Sequence, residues 1–265
     1  MKAIFLFIIF FSSALLLTSC NKVIDLNLGN QAGQLVIEGN ITNVSGPQSI
    51  KLSSNVSFSS TNTYPPVTGA QVTVTDQTGN SFTCAEGPAG TYVIGQLAGE
   101  TDNTYTMHVV TNGKTYTASS IMPVFVPIDS VTSAKSEFDS GKNKRKITVH
   151  YHDPAGIANQ YNFLMYVNGV QVKRVLANND DFTDGNTVDF DLREDDIDIY
   201  PGDKVTVEMQ CIDKTIYTYW FTLMQQGFNG PGGGVTPSNP PNNISPTALG
   251  YFSAHTTQSV SIVVK

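Results

Sequence analysis

The stretch TYTMHVVTNGKTYTASSIM, residues 104–122, decides the fold class. Two runs of alternating apolar and polar residues, 104–111 and 114–122, flank Asn112-Gly113. A period of two sends successive side chains to opposite faces of a strand. An Asn-Gly pair suits a tight primed turn, because both central residues of that turn need positive φ. The stretch therefore predicts a β-hairpin with one buried face. Working outward, strand-like runs recur at 34–42 (QLVIEGNIT), 49–56 (SIKLSSNV), 70–76 (AQVTVTD), 81–86 (SFTCAE) and 91–95 (TYVIG). The turn signals SGP, QTGN and EGPAG separate them. Short strands at this spacing describe an immunoglobulin-like β-sandwich over residues 34–122. The segment VTGAQVTVTDQTGNSFTCAEGPAGTYVI also resembles the carboxypeptidase regulatory-like sandwiches, modules that carry no catalysis.

MPVFVPIDSV (122–131) reads as a junction, since Pro123 and Pro127 interrupt any ladder. A second β series follows in KITVHYHD (146–153), QYNFLMYVNGVQVKRVLAN (160–178), TVDFDL (187–192) and KVTVEMQCID (204–213), with a further tight turn at Asn168-Gly169. The expected fold is mostly β: two sandwich modules, the second over 128–265 and holding one short helix. That helix, 213–226, is marked by a change of period. Asp213 can cap it, with Ile216, Tyr219, Trp220 and Leu223 on one face and Tyr217, Phe221, Met224 and Phe228 in a second row. A helix apolar on both sides is either buried between layers or faces a partner, and burial is the expectation here. GFNGPGGGVTPSNPPNN (227–243) comes next, and SVSIVVK near the end is the one clear strand left. Residues 243–265 are too few for a domain, so the strand should return to the second sandwich. The Gly/Pro-rich segment is then a long loop within the fold, a kind usually functional or disordered.

The first twenty residues, MKAIFLFIIFFSSALLLTSC, hold one Lys, an apolar run and small residues before Cys20. They resemble a lipoprotein signal, with cleavage after residue 19, lipidation of Cys20 and a polar tether over 20–33. Removing 1–19 takes away only Lys2, leaving 14 basic against 22 acidic residues and a net charge of −8. Nucleic acid as a partner is excluded on that balance, because its phosphates call for clustered Lys and Arg. The lipid, rather than charge, would hold the chain to a membrane. Cys84 and Cys211 lie far apart inside strand-like runs and read as buried, unpaired thiols.

Constellations that would carry chemistry are thin. His150, His152 and Asp153 in HYHD hold two imidazoles at i and i+2, but a further zinc ligand would have to come from His108 or His255, in distant segments. No metal and no cofactor is the expectation. In the acidic segment 178–203, Asp180, Asp184 and Gly185 match the first, fifth and sixth positions of a calcium loop. Phe182 stands at the third, where an oxygen ligand is needed, and no Glu closes the loop. The segment reads as a solvated acidic surface. The 227–243 loop has no Lys or Arg and cannot be a P-loop, and no G-x-S-x-G elbow occurs, so catalysis is not expected.

CNKVIDLNL after the lipobox, LVIEGNIT, VTGAQVTVTDQTGN, GTYV, GKTYTASS and PIDSV resemble a known family, and HDPAG, DDFTDGN, the aromatic helix with QQG, and NNISPTALGYFSA continue the likeness. The chain is similar over nearly its whole length to outer-membrane lipoproteins of Bacteroidota catalogued as domain of unknown function 4249 (DUF4249). The resemblance implies an outer-membrane, lipid-anchored location, surface-exposed or periplasm-facing. It also implies association with TonB-dependent receptors, and it brings no catalytic residues. The expected role is a non-catalytic accessory to TonB-dependent transport that binds substrate or partner. The alternatives are a structural or adhesive surface protein and, more remotely, a metal-dependent enzyme. Candidate contacts are Tyr217, Phe221, Phe228 and Asn229, with Tyr251 and Phe252 from GYFSA.

Overall fold

The computed structural model describes residues 32–57, 60–137, 143–194, 196–227 and 238–265. The signal segment, Cys20, most of the 20–33 tether, and the loop residues 228–237 with Phe228 and Asn229 lie outside the described residues. Among the described residues the chain forms seventeen strands and one helix. No helix among them is long and apolar enough to cross a membrane, which says nothing of β-barrels.

The first half runs β1 (Leu35–Thr42), β2 (Gly46–Ser54), β3 (Gln71–Thr75), β4 (Ser81–Thr83), β5 (Ala85–Glu86), β6 (Thr91–Leu97), β7 (Thr104–Thr111) and β8 (Lys114–Ile121). The β7–β8 hairpin forms as its alternation predicts, with Asn112 at φ 49° and Gly113 at φ 71° in the turn. The second half holds β9 (Ile128–Lys135), β10 (Arg145–His152), β11 (Gln160–Val167), β12 (Val170–Gln171), β13 (Leu176–Asn179), β14 (Thr187–Asp191) and β15 (Lys204–Cys211). Then come α1 (Lys214–Gly227), β16 (Ile244–Ser245) and β17 (Leu249–Val263).

Two hydrophobic cores result. In the first, Ile37, Ile50 and Phe252 on one sheet meet Val72, Met107 and Val109 on the other. In the second, Val149 and Tyr151 of β10 face Tyr161, Phe163, Val207 and Met209. Each such side chain contributes about 1.5–3 kcal/mol by leaving water. Cys84 lies in the first core and Cys211 in the second, both buried and free.

The sheets correct two expectations. Pro127 does not keep 122–131 out of the ladders: β9 starts at Ile128 and pairs with β10 alone. As an edge strand it tolerates a proline at its start. The last strand does not belong to the second sandwich alone, and it is fifteen residues long. Its first half runs parallel to β1 from Leu249 to His255, and its second half antiparallel to β15 from Thr256 to Val263. One continuous sheet, in the order β12-β11-β15-β17-β1-β2-β6-β5 with β13 on β11, therefore passes through both sandwiches. The three-stranded sheet β14-β10-β9 covers one half of it and β16-β8-β7-β3-β4 the other. Residues 252–256 of β17 are all buried, because this strand is covered on both faces where it passes between the cores.

Candidate functional site

The helix is anchored by Asp213. Its Oδ1 accepts from the backbone N–H of Thr215 at 2.8 Å and Ile216 at 3.0 Å, the geometry of an N-cap. Its Oδ2 accepts from Ser120 Oγ of β8, which in turn accepts from Ala254 N of β17 at 2.9 Å. Helix, hairpin and seam strand are thus tied at one point.

From there α1 packs over the outer side of the continuous sheet, against β13, β11 and β17. Only Ile216 is buried, so the expected burial of the whole helix between layers is corrected. A helix resting on one sheet face is covered on that side alone, and apart from Ile216 both apolar rows stay half-buried, Tyr219, Trp220 and Leu223 as much as Tyr217, Phe221 and Met224. Tyr217 and Phe221 in that row stack with ring centroids 5.4 Å apart. Tyr219 and Trp220 both meet Tyr251 of β17, at 5.2 and 5.1 Å. Burial, with Glu38 nearby, pushes the hydroxyls of Tyr219 and Tyr251 up to about 12, so both stay neutral, and Tyr251 Oη accepts from Asn40 Nδ2 at 3.5 Å. Of the candidate contacts, Tyr217 and Phe221 stack on each other along one row of the helix, and Tyr251 meets the other row through Tyr219 and Trp220. Phe252 does not: it points to the opposite face of β17 and is fully buried in the first core. Beside Tyr219 opens a cavity of about 350 Å³, with Tyr64, Glu38, Ser53 and Asn239 in its wall. Tyr64 and Glu38 were not among the sequence candidates. They come from loop and strand segments far from α1 in the chain, so no local pattern marks them.

The HYHD residues split by strand period. His150 lies on one face of β10, its Nδ1 2.6 Å from Asp189 Oδ1 and its Nε2 2.7 Å from Thr132 Oγ1. His152 is exposed, whereas Asp153 is fully buried. The three do not converge. Instead, ligand atoms of Asp153, Asp180 and Asp184 lie within 4.8 Å of one another, the one such grouping among the described residues. This set of carboxylates is the part of the structure suited to a hard cation. The Tyr217 hydroxyl of the helix is raised by burial and by the carboxylate of Asp181, the residue after Asp180.

A family model described as "Domain of unknown function (DUF4249)" matches residues 21–261. No curated protein matches the chain.

Proposed function

We infer the role of this chain, which belongs to the DUF4249 family, from its half-exposed aromatic surface: it is a non-catalytic, lipid-anchored outer-membrane protein that assists TonB-dependent transport by binding a partner or substrate. The observation that carries the reading is the row of Tyr217 and Phe221 beside the Tyr219–Trp220–Tyr251 group, on a helix held by a cap and only one buried side chain. Aromatic rings concentrated on an outer face are the usual material of interface anchors.

The full lipidated chain, purified in gentle detergent, is expected to bring down a β-barrel receptor of the outer membrane. The double change Tyr217→Ser, Phe221→Ser is expected to lose it while unfolding within a few degrees of wild type, because the pair is half-exposed. Recovery of no barrel by the unaltered protein would sink the reading. For the anchor, Cys20→Ala is expected to abolish incorporation of labelled palmitate and move the chain into the soluble fraction. Label retained in that variant would refute lipidation at Cys20.

The structural or adhesive alternative is favoured by the continuous sheet through both sandwiches. Under it, deletion of the gene would impair cell attachment and leave nutrient uptake unchanged.

A further inference from the structure

We propose that Asp153, Asp180 and Asp184 form a calcium site joining the loop after β10 to the turn before β14. Two strand pairings and the hydrogen bonds of the adjoining loops bring these residues together. The β10–β14 ladder ends with His152 opposite Thr187, so the chain leaving β10 meets the chain entering β14, and Asp153 N donates to Asn186 O at 2.9 Å. The β11–β13 ladder sets Gln160 opposite Asn179, which brings Asp180 beside the start of β11. There Asn159 N donates to Asp180 Oδ2 at 2.7 Å. Gly156 N, in the loop after β10, donates to Asp184 Oδ1 at 2.7 Å. Gly185, at φ +71°, lets the two loops close, since a Cβ there would stand 2.8 Å from Ala155 Cβ.

Each carboxylate is thus held at one oxygen by a neutral donor, with Tyr161 Oη donating to Asp153 Oδ1. The other oxygen of Asp153, Oδ2, is buried and has no hydrogen-bond partner. A wholly buried carboxylate with an orphaned oxygen, beside two further carboxylates, is unfavourable unless something positive joins them. No hydrogen bond to the three among the described residues comes from a cationic side chain. Burial, and then the charges of Asp180 and Asp184, raise Asp153 against the pull of the Tyr161 hydroxyl and the Gly185 backbone N–H. In the same turn Thr183 Oγ1 is also buried without a partner.

The donor set is all oxygen, with no thiol or imidazole, which suits a hard cation and not zinc or copper. One Ca²⁺, bonding at about 2.3–2.6 Å, reaches oxygens up to about 5 Å apart, while Mg²⁺ at about 2.1 Å reaches only about 4.2 Å. The missing third ligand of the D-x-F-T-D-G turn is therefore no obstacle. Phe182 is 97% exposed and turned away, and Asp153 supplies a carboxylate from another loop.

The test is thermal unfolding of the full chain after chelation, with and without Ca²⁺ at about 1 mM, the range of extracellular calcium modules. A site about tenfold saturated raises Tm by about 3–6 °C in a chain of this size. Asp153→Asn and Asp184→Asn are expected to abolish the rise. Asp153→Asn keeps the oxygen that Tyr161 bonds, and Asp184 is exposed, so both variants should fold. As an independent reading, Tb³⁺ excited through tyrosine should emit in the wild type, lose emission as Ca²⁺ is added, and stay dark in Asp153→Asn. No Ca²⁺-dependent shift, with terbium emission equal in wild type and Asp153→Asn, would mean that the carboxylates share a proton and would overturn the site. A shift that survives in both variants would place calcium elsewhere and overturn it equally.

Discussion

Gly250→Ala is expected to leave little folded protein. Gly250 sits opposite Ile37 where β17 starts along β1, at φ +94°. A Cβ there would collide with the carbonyl oxygen of Ile37, and would stand 2.8 Å from its carbonyl carbon and 3.0 Å from its nitrogen. Backbone cannot swing aside like the end of a long side chain. β1 is held on its other edge by β2, so any retreat disturbs the first core. Positive φ alone costs a non-glycine residue about 1–3 kcal/mol. With the collision added, the loss should exceed about 4 kcal/mol, a large share of the roughly 5–15 kcal/mol that hold a domain together. Gly202→Ala is the control: its φ is +99°, yet nothing lies within 4 Å of the added Cβ. Urea unfolding should place Gly202→Ala within about 1–3 kcal/mol of wild type, with Gly250→Ala far below. Equal losses in the two variants would show that the seam yields.

Mild acid is expected to weaken the fold through His255. This residue is buried at the middle of β17, with Ser253 Oγ 3.0 Å from its Nδ1. Burial lowers its pKa from 6.5 to about 4. The unfolded chain takes up a proton near 6.5 while the folded one refuses it until about 4. Stability is therefore full above pH 6.5, falls as the pH drops through that window, and levels off below 4. The gap corresponds to about 3 kcal/mol. Urea midpoints of wild type should fall markedly between pH 7 and pH 4.5, and those of His255→Gln should fall much less. Parallel declines in both would assign the acid sensitivity to other groups. Asp153, raised by burial, works in the opposite direction and stabilises slightly as it protonates.

Both residues lie on β17, the element that sequence reasoning described least well. SVSIVVK reads as a strand because apolar residues alternate there. Around Phe252 to Thr256 the alternation disappears, since both faces of the strand are covered and every side chain is buried. A run such as SAHTT then carries no strand period of its own. β9 was hidden by Pro127, although an edge strand has no use for that missing N–H. The helix is legible in place, period and cap, but not in depth. Two apolar rows say that a helix has two sticky sides, but they do not say that only one neighbour is there to cover them.

The cation cluster divides in the same way. HYHD drew attention to Asp153 and DDFTDGN to Asp180 and Asp184, each as half of a site lacking ligands. Period two assigns Asp153 to the face away from His150 and His152. What joins it to the other two is the β10–β14 ladder, a pairing between segments more than thirty residues apart.

By itself the sequence determined the β class, the Asn-Gly hairpins, the Asp213 cap and the position of the helix. These depend on φ preferences, on side-chain period and on hydrogen bonds within a few residues, all of which a local run of residues specifies. The tertiary structure alone decided that one strand serves both sandwiches, that the aromatic row remains half-open, and that three separate aspartates meet. Those outcomes depend on which distant surfaces bury one another, and burial is a property of the assembled fold rather than of any segment in it.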